Sequence, residues 1–83
     1  MNADATETMR RKRMVELARE AADRVTLERR HGQVWDPVEL RRDFEVIGFL
    51  APLAVVRRKR DGMLGSLEFQ MEPRLYFNWW EDQ

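Results

Sequence analysis

The chain predicts an α+β domain in which a long N-terminal helix and a short second helix pack on a three-stranded antiparallel β-meander, in the order α-α-β-β-β. Three observations lead there. A stretch from about residue 5 to 30 contains neither Gly nor Pro and is rich in helix formers. Asp36-Pro37 opens a second helical pattern that Gly48 and Pro52 close. Asp61-Gly62 stands between two apolar, β-branched runs, where it suits a two-residue hairpin turn. The expected layout is one domain over 1–83, with helices at about 5–30 and 37–47 and strands at about 53–60, 63–70 and 74–80.

In the first helix, Asp4 and Glu7 have capping-box spacing. Met14, Leu17, Ala18, Ala21 and Val25 recur at intervals of three and four, which makes one apolar stripe. Glu7 with Arg11, Arg19 with Asp23 and Glu20 with Arg24 are opposite charges four apart. Arg29, Arg30 and His31 suit the negative end of the helix dipole, and Gly32 suits a left-handed stop. Such a helix is roughly 39 Å long against about 26 Å for an eight-residue strand, so the end carrying Arg10 to Arg13 is expected to overhang the sheet.

In the second helix, Asp36 is the N-cap, Pro37 the first helical residue and Glu39 the third, with Trp35 stapled onto Leu40. Leu40, Phe44 and Ile47 form its inward stripe, and Phe49 beyond Gly48 is placed to touch Phe44. A strand over Phe44 to Phe49 is the rival reading.

A two-residue turn at Asp61-Gly62 pairs Val56 with Leu67 and Ala54 with Phe69, which puts these four on a core face. The turn at Met71-Glu72-Pro73 decides the third strand. An odd loop adds Leu75, Phe77 and Trp79 to the core face, whereas an even one turns Asn78 inward, at a desolvation cost. The odd loop is therefore expected. It leaves Tyr76 and Trp80 on an open second face with Val55, Arg57 and Lys59.

Of the 83 residues, 43% are hydrophobic and 36% charged, and there is no cysteine, hence no disulfide and no thiolate metal site. No apolar run reaches the ~20 residues of a membrane span and no signal peptide is evident, so a cytoplasmic protein without membrane contact is expected. Fifteen basic and fifteen acidic residues cancel, leaving no net field to draw in nucleic acid. Catalysis finds no support: His31, the one histidine, sits at a helix end, Ser66 is the one serine, and phosphate-loop, paired-histidine and nucleophile motifs are absent. No cofactor or metal is implied.

What remains is binding. Val55, Arg57, Lys59, Tyr76 and Trp80 compose a mixed aromatic and cationic patch of the kind that anchors protein interfaces. The expected function is that of a small non-catalytic adaptor or inhibitor that docks on a protein partner, or on a second copy of itself, through the open sheet face. The alternative is a nucleic-acid-binding module, with Arg10, Arg11, Lys12, Arg13, Arg58 and Arg60 as phosphate contacts and the aromatic residues as stacking surfaces. A helix, a shorter helix and a basic hairpin also resemble a winged-helix layout, although its third helix is missing.

Overall fold

A computed structural model of the chain describes residues 9–13 and 22–82. The elements run in the order α1 (a helical segment over 9–13), α2 (Arg24–His31), β1 (Val34–Trp35), α3 (Pro37–Asp43), β2 (Phe44–Leu50), β3 (Leu53–Arg58), β4 (Leu64–Met71) and β5 (Arg74–Glu81). All strands join one antiparallel sheet in the order β1-β5-β4-β3-β2. The expected three-stranded meander under a long helix is thus overturned by a five-stranded sheet with short helices. The hairpin lies within this sheet and does not project as a wing, which also removes the winged-helix likeness.

The second helix begins as its sequence predicts. The Asp36 carboxylate accepts from the Glu39 amide, the Glu39 carboxylate accepts from the Asp36 amide, and Pro37 follows the cap. It ends four residues early, at Asp43, because Phe44-Glu45-Val46-Ile47 is aromatic and β-branched and gains more by pairing with β3 than by another helical turn. Gly48 is no helix stop: it follows a bulge in β2, where Ile47 is the extra residue between the Val46–Val56 and Gly48–Val55 pairs. Ile47 accordingly faces water, and Phe49 stacks edge-on against Phe69 and not against Phe44.

The Asp61-Gly62 bend falls where expected, but the loop has four residues. The Arg58 amide donates to the Met63 carbonyl at 2.8 Å and the Gly62 amide to the Arg58 carbonyl at 2.7 Å. Val56 therefore pairs with Gly65, and Ala54 with Leu67. A slip of two residues preserves the alternation of faces, so Ala54, Val56 and Leu67 remain buried together as predicted.

The turn before β5 is even, not odd: Met71 pairs with Arg74, Gln70 with Leu75 and Phe69 with Tyr76. The objection that Asn78 would be buried is met by a second bulge. Glu68 pairs with Phe77 but Ser66 with Trp80, so Leu67 alone faces both Asn78 and Trp79. Asn78 adopts φ 61°, a left-handed backbone that Asn tolerates better than most residues, and its side chain is exposed. Beyond it the alternation reverses. Tyr76 and Trp79 share the first face with Ala54, Val56 and Leu67, while Leu75, Phe77 and Trp80 share the second.

The sheet consequently carries a core on each side. On the first face Trp35, Leu40 and Phe44 cover Ala54, Val56, Leu67 and Tyr76. On the second, Leu27 of α2 and Val34 cover Leu75 and Phe77, with the His31 ring stacked on Phe77 at 4.7 Å.

One continuous first helix is also corrected. Asp23 is extended (φ −72°, ψ 171°) and caps α2 by accepting from the Thr26 amide. The buried side chain of Gln70 explains the break: it donates to the Ala22 carbonyl at 2.8 Å and accepts from the Ala22 amide at 3.2 Å, replacing helical bonds there. Val25 faces water while Leu27 is buried. Gly32 closes α2 with φ 83°, as its position predicts. Asp4, Glu7, Met14, Leu17, Ala18, Arg19, Glu20 and Ala21 lie outside the described residues. Arg24 pairs with Glu28 and Glu39 and donates to the Val34 carbonyl, tying α2 to β1 and α3.

Two substitution pairs test this register. A Cβ at Gly65 would collide with the Trp79 indole and the Trp80 carbonyl oxygen, whereas one at Gly48 meets nothing within 4 Å. Gly65→Ala is expected to cost at least about 2 kcal/mol in urea unfolding and Gly48→Ala under about 0.5. Asn78→Gly is expected to leave stability nearly unchanged and Asn78→Val to lose about 1–2 kcal/mol.

Candidate functional surfaces

The residues expected to form one patch are not all brought together. Val55, Ser66 and Trp80 lie in a row across the second face, with Trp80 70% exposed and Arg57 nearby, paired with Glu45 at 3.1 Å. Tyr76 is buried on the opposite face, and Lys59 lies in the hairpin loop, its ammonium donating to the Arg41 carbonyl. The second face is not open throughout: α2 covers its β5 end. The two basic runs are also separated. Arg13 makes a two-pronged pair with Glu68 on the second face, at 2.9 and 3.0 Å, so Arg13 lies against the sheet where an overhang is expected. Arg10, Arg11 and Lys12 precede it on α1. Arg58 belongs to the first face.

Two surfaces stand out instead. The first is the outer edge of β2, with which no described strand pairs. Ile47, Phe49 and Leu50 on it are each about half exposed. The edge continues onto the first face as a ladder of rings, Phe49 to Phe69 at 5.6 Å and Phe69 to Tyr76 at 5.8 Å. The Arg74 guanidinium lies 5.6 to 5.7 Å from all three ring centres, and its Nε donates to the Tyr76 hydroxyl oxygen at 2.8 Å. No described carboxylate pairs with Arg74.

The second is a cleft of about 510 Å³ at the other end of the first face, lined by Gln33, Trp35, Arg42, Asp43, Phe44, Arg58, Lys59, Arg60 and Trp79. Trp79 packs on Phe44 with ring centres 5.0 Å apart, and Arg58 lies over its ring at 5.2 Å. Asp43 accepts from the Trp35 indole at 3.0 Å and from Arg42 at 2.9 Å. The Arg42 hydrogen bond, supported by the weaker one from Trp35 and by the charges of Arg42 and Lys59, holds its carboxyl below the usual range and outweighs the opposing effect of burial. The Trp79 Nε1–H is buried with no acceptor. Arg58 and Arg60 appear in the sequence as a basic run, but their aromatic neighbours do not. Trp79 joins them through the positive φ at Asn78, and an Asn between aromatic residues in a strand is the one cue that marks such a bulge.

No group of three or more His, Cys, Asp or Glu among the described residues could hold a metal ion. No helix among them is long and apolar enough to cross a membrane. No protein-family model, curated protein or solved structure matches the chain.

Beside the cleft, Asp61 accepts from Arg58 at 2.8 and 3.1 Å and from the Met63 amide at 3.1 Å. These bonds, Arg58 first, hold its carboxyl at about 2 against an ordinary 3.8. A depressed carboxyl stabilises the fold above its unfolded value and loses that contribution as pH falls through the folded one. The stability gap between the natural chain and Asp61→Asn should thus be constant above pH about 4 and close between about 4 and 2, as followed by urea unfolding at each pH. A gap unchanged at pH 2 would contradict the hydrogen-bonded loop.

Proposed function

We propose that the chain is a small non-catalytic binding protein, of adaptor or inhibitor type, that docks on a protein partner by accepting an extended strand of that partner along the free edge of β2. The observation that carries this reading is the edge itself: seven residues, Phe44–Leu50, whose outer backbone groups meet no described strand and whose Ile47, Phe49 and Leu50 face water. Edge strands are ordinarily blunted by Lys, Pro, inward-pointing charge or a bulge. This one has neither Lys nor Pro, and beyond its bulge at Ile47 the stretch Gly48–Leu50 pairs regularly with β3 and keeps its outer edge apolar. Main-chain pairing gives such docking its affinity, and alternate side chains give it selectivity. Arg74, held over Phe49 and Phe69 without a described carboxylate partner, favours a strand in which an acidic residue lies beside apolar ones. This surface takes the place of the one built around Tyr76, which is buried. Trp80 and Val55 lie one strand or more inward on the second face and widen the contact for a larger partner.

Selection of extended peptides from a displayed library tests the reading. Binders should carry an acidic residue among apolar ones, slow hydrogen exchange of β2 amides, and weaken at least about tenfold with Phe49→Ala or Arg74→Ala. Protection confined to other strands, or no binder at all, contradicts it. Sedimentation of the isolated chain separates the versions: a dimer dispersed by Ile47→Lys makes the partner a second copy, and a monomer makes it another protein.

A further inference from the structure

The cleft at the opposite end of the first face is independent of the β2 edge. We infer that it is a binding site for a small phosphorylated ligand with a planar or apolar body, of the size of a mononucleotide. The charge is one-sided: Arg42, Arg58, Lys59 and Arg60 line the cleft, and Asp43 is the one carboxylate residue among its lining. Asp43 is spoken for, since it accepts from both Arg42 and the Trp35 indole. Arg58 is held by Asp61 and Glu81, which fixes its guanidinium over Trp79. Lys59 is held by a carbonyl oxygen rather than a carboxylate, and keeps donors for an anion. The guanidinium of Arg60 makes no hydrogen bond or ion pair with a described residue, and five donors in a planar fork match phosphate oxygens. Rim cations from α3 and the hairpin loop therefore converge on one opening.

The interior adds a second, independent observation: Trp35, Phe44 and Trp79 supply aromatic walls on which a planar body can stack, beside the cations of the rim. A volume of about 510 Å³ suits a ligand of nucleotide size. An extended nucleic acid is less well served, because Arg13 of the other basic run is engaged with Glu68 on the opposite face.

Titration of the full chain with adenosine monophosphate and, separately, inorganic phosphate, followed by the indole N–H resonances, tests this. The monophosphate should shift the Trp79 N–H, inorganic phosphate should compete, and added salt should weaken both. Arg60→Gln combined with Lys59→Gln should weaken binding at least about tenfold while leaving the remaining spectrum folded. Phe49→Ala should leave the titration unchanged, so failure here is distinguishable from failure at the β2 edge. No shift of the Trp79 N–H at millimolar monophosphate would overturn the inference, as would binding indifferent to the Lys59 and Arg60 changes. A single-stranded oligonucleotide that binds more tightly than the mononucleotide would overturn it in favour of a nucleic-acid surface.

Discussion

The left-handed backbone of Asn78 is the constraint from which the arrangement of this sheet follows. A strand reading Leu-Tyr-Phe-Asn-Trp-Trp, with strict alternation, must place an amide side chain in one core or strand two large rings in water. By taking φ 61° and standing opposite Leu67 together with Trp79, Asn78 drops out of the alternation and stays exposed. Tyr76 and Trp79 then serve one core while Leu75 and Phe77 serve the other. Gly65 is the complement of this arrangement: the Trp79 ring occupies the space where any side chain on the facing strand would sit.

A sheet buried on both faces needs cover from both sides, and the connections before it are shaped accordingly. Gln70 engages both backbone groups of Ala22, which holds this residue outside a helix and lets α2 begin beyond Asp23 and turn its Leu27 onto Phe77. Arg24 then fastens α2 to β1 and to the cap of α3. On the other side, α3 is short because Phe44 must leave the helix to start β2 while Leu40 and Trp35 still reach the first core. The geometry of the two surfaces follows from this: α3 crosses the first face and leaves the aromatic corner at one end and the cationic cleft at the other.

Much of the local structure was legible in the residues. The Asp36 capping box, the Gly32 stop, the Asp61-Gly62 bend and the burial of Ala54, Val56 and Leu67 rest on short-range rules that tertiary contacts do not disturb. What was not legible depended on tertiary partners. The β2 segment is short enough to satisfy a helical or an extended pattern, and the available β3 edge decides it. The helix break at Ala22 is set by Gln70, 48 residues away in the chain. Unbroken alternation through Asn78 makes an odd turn before β5 look necessary and so puts Tyr76 on the exposed patch. The turn is even, which moves Tyr76, Leu75 and Phe77 to the opposite faces, and the bulge opposite Leu67 returns Trp79 to the face expected for it. The cleft is not legible because its second wall, Phe44, depends on β2 being a strand rather than a helical turn.

Nuclear Overhauser contacts among the aromatic side chains test this account most directly. It predicts contacts between Trp79 and Phe44 and between Tyr76 and Phe69 on one side of the sheet, with Phe77 against His31 on the other. Contacts of Tyr76 with Leu27 or His31, or of Trp79 with the residues around Phe77, would show an unbroken strand through residue 78 and contradict both the two-core sheet and the cleft built on it.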